Sequence, residues 1–400
     1  MSEPVPSKAI LASSSITQPG ELDRLNAFLE RAGHGGHLGA PVHVTPAVVQ
    51  LPVAGDPRQV VAAVRGAAPE GGHHQVAVPS VYSVDTVNHD PTAQPTPLLP
   101  TSLLHARGLK TGHGTVTWEP ARPQDMPHKP SWPPRRPSPV VVVLDSGVKP
   151  HSWLPPQATN TDPREDFWFV PDPAPSFVLP EPDLTKITGD YDFGSYWGHA
   201  TFLAGLIRLA APDARVMSLK LMSDAGTLDD CAVLQALTWL HDQYIDSEHR
   251  VDVVLMAFGR PKEPGEADPE LLRDAVAKLG GKGGKGVKFV ASAGNDHSHT
   301  ETIPACLAAE PNSPVVSVGA GKSAANHEPY SNHGPWVREW RPGTVVSLMP
   351  LTKPGPGASE DGNGFALWSG TSFSAAIVAG QLAEARAKER AAKAGSHATA

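Results

Sequence analysis

Four short stretches of this 400-residue chain put side chains able to do nucleophilic and acid–base chemistry where the backbone turns. Asp145 follows the apolar run Val140 to Leu144 and precedes Ser146-Gly147, so its carboxylate stands at the carboxyl end of a buried strand. His199 sits in Gly198-His199-Ala200-Thr201-Phe202-Leu203-Ala204-Gly205, where small residues lead into an apolar helical run and imply a helix N-terminus. Ser372 lies in Ser369-Gly370-Thr371-Ser372-Phe373-Ser374-Ala375-Ala376, a glycine turn entering a helix of small residues. Such a turn exposes a hydroxyl and aims backbone amides at whatever approaches it. Asn295 ends Phe289-Val290-Ala291-Ser292-Ala293-Gly294-Asn295, again at a strand end, where its amide can donate to a developing oxyanion.

Each residue alone also has a plainer reading. The aspartate could cap a turn, the histidine lie on the surface, the serine cap its helix and the asparagine occupy a loop. Jointly they supply what a serine nucleophile needs. A hydroxyl attacks poorly at neutral pH unless an imidazole takes its proton, a carboxylate orients that imidazole, and a donor receives the oxyanion.

The elements around these residues read as two units and a connector. In the first, residues 8–13 are strand-like, and 21–32 carry Leu22, Leu25, Phe28 and Leu29 at helical spacing. Residues 42–53 are β-rich but broken by Pro46, 56–67 form a helix with Val60, Val61 and Val64 on one face, and 75–84 are β-rich again. This gives a small α+β domain, 1–87, of order β-α-β-β-α-β. Residues 88–137 are a Pro-rich linker, because proline removes backbone donors and blocks both helix and ladder. Residues 138–400 alternate apolar strands (140–144, 215–221, 251–258, 286–291, 314–318) with helices (203–210, 229–243, 269–279). Continuous Val, Leu and Ile runs fit a doubly wound, mostly parallel α/β sheet covered on both faces.

Bulk properties narrow the partners. A formal charge of −8 offers no footprint for nucleic acid or an anionic membrane. The N-terminus lacks a signal-peptide core, and no apolar run approaches the roughly 18 residues of a membrane span. With Cys231 and Cys306 the only cysteines, a disulfide framework is not expected, and the expected location is cytoplasmic. The 18 histidines, His297 and His299 among them, form no HExxH or CxxC motif, so they read as surface residues and no metal site is expected. Residues 280–286 suggest a phosphate loop only superficially, since they lead from a helix into a strand.

The stretches Val143-Leu144-Asp145-Ser146-Gly147, His199-Ala200-Thr201, Ala293-Gly294-Asn295 and Gly370-Thr371-Ser372 resemble the Asp, His, oxyanion-Asn and Ser motifs of the subtilisin-like serine proteases, in that family's chain order. The resemblance runs from about Val140 to Gly380. It implies a serine endopeptidase with catalytic Asp145, His199 and Ser372 and oxyanion donor Asn295. It also implies a cleft lined by Gly226, Ala257, Phe258, Gly259, Ala293 and Gly294, along which an extended peptide adds as a strand. Phe258 and Thr302 then suggest an apolar residue before the scissile bond.

No cofactor is expected. Calcium is frequent in the family but no loop here has EF-hand spacing, so it is left open. The N-terminal order is similar to that of the family's inhibitory prodomain, which implies a domain that binds the catalytic unit or a regulator. Ala200, Phe202 and Ala376-Ile377 depart from the usual Gly, second His and Pro-His. The rival readings are an inactive pseudoprotease that binds peptides or partners, and a serine-carboxyl peptidase, which the presence of His199 disfavours.

Overall fold

A computed structural model describes residues 9–33, 37–67, 75–77, 81–83, 88–89, 109–110, 119–120, 138–149, 151–154, 168–169, 196, 198–222, 226–244, 251–264, 266, 268–281, 286–350 and 364–397. The N-terminal part contains β1 (Ala9–Ser13), α1 (Glu21–Arg31), β2 (Val42–Thr45), β3 (Val48–Ala54), α2 (Pro57–Gly66), β4 (Val76–Ala77) and β5 (Val81–Ser83). Its 5-stranded antiparallel sheet adds a short strand, His37–Leu38, to the expected order, and Pro46 indeed sits in the turn between β2 and β3. Helix α2 starts where its sequence says it should. The Asp56 carboxylate accepts from the Arg58 amide at 2.9 Å, and Pro57 occupies the first turn, where no donor is needed.

The larger part is built on β6 (Val140–Asp145), α3 (His199–Ala210), β7 (Arg215–Lys220), β8 (Thr227–Asp229), α4 (Asp230–Tyr244), β9 (Val251–Met256), α5 (Glu270–Gly280), β10 (Lys288–Ser292), β11 (Val315–Ser323), β12 (Thr344–Leu348), β13 (Phe365–Ser369) and α6 (Thr371–His397). The parallel strands lie in the order β7-β6-β9-β10-β11. Alternation along the central strand makes two cores. Val140, Val142 and Leu144 join one with α4 and α5; Val141 and Val143 join the other with α3 and α6. Each such aliphatic side chain contributes about 1.5–3 kcal/mol by leaving water, which is why this strand carries no polar residue until Asp145.

The chain leaves β6 toward β7 on one side and returns to β9 on the other, so the carboxyl end of β6 is a topological switch point, where α/β sheets bind their ligands. Helices α3 and α6 approach closely on one face. A Cβ at Gly380 would stand 2.7 Å from Ala210 Cβ and 3.1 Å from the Ile207 carbonyl, so only glycine allows this packing.

The N-terminal sheet keeps its own core under α1 and α2, and presents Leu11 and Val48 on its other face to Leu234 of α4 and Leu271 of α5. Gln75 Nε2 donates to Asp274 Oδ2 across the same seam at 2.7 Å. Strand β5 pairs antiparallel with β8, placing Val81 opposite Asp229 and Ser83 opposite Thr227. Most of the Pro-rich stretch 88–137 lies outside the described residues. Of the part that is described, Glu119 and Pro120 pair with Leu367 and Ala366 of β13, an edge position that proline tolerates. No helix among the described residues is long and apolar enough to cross a membrane.

Candidate active site

Asp145 is the last residue of β6, and Gly147, at φ 88°, turns the chain away immediately after it. That left-handed backbone suits glycine and lets the strand end sharply beneath the helix that follows in space. The Asp145 carboxylate is fully buried. Its Oδ1 accepts from the Ser146 amide at 2.7 Å, and its Oδ2 faces His199 Nδ1 at 2.9 Å. His199 begins α3, one turn before the helix expected from residue 203, and is itself fully buried. Because a carboxylate only accepts, the bond fixes Nδ1 as the protonated nitrogen and leaves the Nε2 lone pair as a base. Nε2 has no hydrogen-bond partner among the described residues.

Ser372 is the second residue of α6 and nearly buried. Its Oγ donates to the Ala257 carbonyl at 3.1 Å rather than to His199. Phe373, next to it, lies against the imidazole with ring centroids 5.6 Å apart, so the two residues belong to one neighbourhood. Asn295 Oδ1 accepts from the Thr371 amide at 2.9 Å, which turns the donating end of the amide toward Gly370, 3.6 Å from where a Cβ on that glycine would lie.

Of the expected cleft residues, Ala257, Phe258, Gly259 and Gly294 line one small cavity together with Asn295 and Ser372. Thr302 lines it too, and a Cβ on Gly259 would come within 2.5 Å of the Thr302 methyl. Gly226, at φ 82°, lies apart from that cavity, against Tyr196 and at the start of β8. Ala293 is buried beneath the cleft, its amide donating to the Val318 carbonyl at 2.9 Å and its carbonyl accepting from Asn332 Nδ2 at 3.0 Å. It supports the loop rather than lining the cavity.

The sequence reading missed the side chains that enclose His199. Trp368 of β13 stands edge-on to the imidazole at 5.6 Å, and Phe202 packs on Phe373 at 4.4 Å and on Trp368 at 5.5 Å. Together with Phe373 these rings pack around the imidazole as an aromatic wall, and the Asp145–His199 pair is fully buried. Nothing in the spacing of residues 202, 368 and 373 announces that wall. Asn332 was missed too. Its Oδ1 accepts from the amides of Asp296 at 2.9 Å and Ser298 at 3.0 Å, holding the loop that leaves Asn295.

Residues 137–399 match the family model described as the subtilase family, Peptidase_S8. Among solved structures, one similar chain is a cold adapted subtilisin-like serine proteinase, 21% identical, with a TM-score of 0.38, covering 61% of this chain and 79% of that one. None of the curated proteins compared matches the chain. The family match spans more than half of the sequence and contains Asp145, His199, Asn295 and Ser372, and on that ground this chain belongs to the subtilase family and is a serine-type peptidase.

Proposed function

We propose that the chain is an endopeptidase in which Ser372 attacks the scissile carbonyl, His199 is the general base and acid, Asp145 orients and stabilises the imidazolium, and Asn295 donates to the oxyanion. The observation that carries this reading is the 2.9 Å bond between two fully buried groups, His199 Nδ1 and Asp145 Oδ2. A buried carboxylate with no other work would be costly to keep charged; here it is matched to an imidazole and a backbone amide.

A peptide binds as an extended strand beside the Ala257–Gly259 segment. The Ser372 side chain then rotates about χ1 from the Ala257 carbonyl to His199 Nε2, a change between staggered wells. As Oγ bonds to the carbonyl carbon, its proton passes to Nε2 and the carbonyl oxygen takes the negative charge toward Asn295 Nδ2. Collapse of this intermediate breaks the C–N bond, and the departing amine takes the proton from Nε2. Water then repeats the sequence on the acyl-serine and releases the acid.

Residues 1–87 act on this site as an internal brake. Strand β5 occupies the edge of β8 next to Gly226, the segment that the family resemblance assigns to the second wall of the substrate cleft, and Leu11 and Val48 hold the sheet against α4 and α5. With Cys231 and Cys306 both free, a reducing compartment such as the cytosol is the proposed setting.

A fluorophosphonate probe tests the first part. Labelling of the wild-type chain but not of Ser372→Ala is expected; labelling of neither would favour an inactive peptide-binding relative.

A further inference from the structure

Histidines 297, 299, 327 and 333 form no motif in sequence, yet two loops bring them together beside the cleft. The nitrogens of His297, His327 and His333 that could act as ligands all lie within 4.8 Å of one another. The rings of His327 and His333 are stacked with centroids 4.2 Å apart, and His299 lies 4.0 Å from His333. Four neighbouring imidazoles gain little from each other as cations, but neutral imidazoles so placed are a ligand set.

The tautomers point the same way. His327 Nδ1 is 3.0 Å from the Glu328 carbonyl and His333 Nδ1 is 3.2 Å from the Ser331 carbonyl. A carbonyl only accepts, so each Nδ1 carries the proton and each Nε2 presents its lone pair. That is how metal-binding histidines are commonly held: one ring nitrogen is anchored to a backbone oxygen so that the other is aimed and made more basic.

The backbone is arranged to match. His297 adopts φ 49°, an unusual conformation for a non-glycine residue, and its amide donates to the Tyr330 carbonyl at 2.8 Å. The His333 amide donates to the Ser298 carbonyl at 2.9 Å, so the loop after Asn295 and the loop through residue 333 are already tied together.

We propose that His297, His327 and His333 bind one borderline transition-metal ion of the Zn2+ class, clasping the loop that begins at Asn295 to the loop that carries His327 and His333. The donor set selects the ion: imidazole nitrogens suit zinc, nickel or copper, whereas calcium and magnesium need oxygen ligands. Zn–N bonds are about 2.0–2.1 Å, which puts the nitrogens of a tetrahedral site roughly 3.3 Å apart, within reach of small side-chain rotations here. The fourth position falls to His299 or to water. Because Asn295 is two residues before His297, the ion would stiffen the segment on which the proposed oxyanion donor rides.

The test uses the full-length chain carrying Ser372→Ala, to prevent self-digestion, and the same chain with His327→Gln and His333→Gln added. Zn2+ is titrated calorimetrically, and melting is followed with and without the ion. The parent should bind one equivalent more than the double variant, and each single variant should weaken that site at least about 10-fold. His34, His37, His73, His74 and His199 are present in both chains, so other zinc binding cancels in the difference. Equal stoichiometry and equal metal-induced shifts in melting would overturn the proposal. Should the double variant fold poorly, diethylpyrocarbonate labelling of the parent decides instead: zinc should protect His327 and His333, and unchanged labelling would count against the site.

Discussion

Ser372 Oγ gives its hydrogen bond to the Ala257 carbonyl at 3.1 Å, while His199, one helix away, already holds Asp145 at 2.9 Å and has no partner for its Nε2 among the described residues. In the mechanism proposed above, base and orienting carboxylate are thus assembled in advance, and the serine hydroxyl is the group that must turn. Catalytic hydrogen bonds are often loose until substrate is bound, and the Ala257 carbonyl gives the idle hydroxyl a partner until then.

Asp145→Asn should leave the fold intact and lower kcat about 10^4-fold, because the amide would stabilise the wrong imidazole tautomer and no longer balance the imidazolium. Asn295→Ala should cost about 10^2–10^3 in kcat with KM little changed, the general range for one oxyanion donor, itself established on a subtilisin. Steady-state kinetics on a peptide amide separate the two. A variant of either residue with wild-type kcat would remove it from the mechanism.

The aromatic wall predicts a stability effect coupled to an activity effect. Phe202→Ala opens a cavity between Trp368 and Phe373 and should destabilise the protein by about 3–5 kcal/mol. By letting water reach the Asp145–His199 pair it should also lower kcat in the fraction that stays folded. Denaturant melts and kinetics at a temperature below unfolding check both halves; a folded variant with unchanged kcat would reduce the wall to packing.

The seam between the N-terminal sheet and α4 and α5 can be read through a thiol. Burial, helped by the charges of Asp229 and Asp230, pushes the Cys231 thiol up to about 12, so at pH 8 it stays protonated and should alkylate slowly. Leu11→Asp puts a charge into this apolar contact. It should speed Cys231 alkylation and raise the initial rate on a small peptide substrate. Faster alkylation without any gain in rate would mean that the domain docks there but does not restrain the enzyme.

Beside Arg260, burial raises the Glu266 carboxyl, but the paired bonds from Arg260, at 2.8 and 2.6 Å, the bond from the Glu263 amide and the charges of Arg260 and Lys262 together outweigh it and hold the group below its ordinary 4.5. A depressed carboxyl adds stability above its unfolded pKa and loses it as pH falls through the folded one. Glu266→Gln should therefore melt lower than wild type at pH 7, with the gap closing toward pH 3. A gap independent of pH would point to shape rather than charge.

Much of this protein could be read from its residues because the signals are local. Val140 to Leu144 can only be a strand covered on both faces, Gly147 and Gly370 mark the turns, and the Asp, His, Asn and Ser stretches carry the family resemblance without reference to any neighbour. Proline at 46 split a strand pair, and Asp56-Pro57 started a helix, for reasons contained within a few residues. What only the tertiary structure decided are relations between distant segments. These are the rotamer that gives the Ser372 hydroxyl to Ala257, the aromatic side chains from α3, β13 and α6 around His199, the pairing of Val81–Ser83 with Thr227–Asp229, and the convergence of histidines from two loops. Propensity and pattern act over a turn or a strand, whereas these contacts exist only once packing has fixed where each element lies.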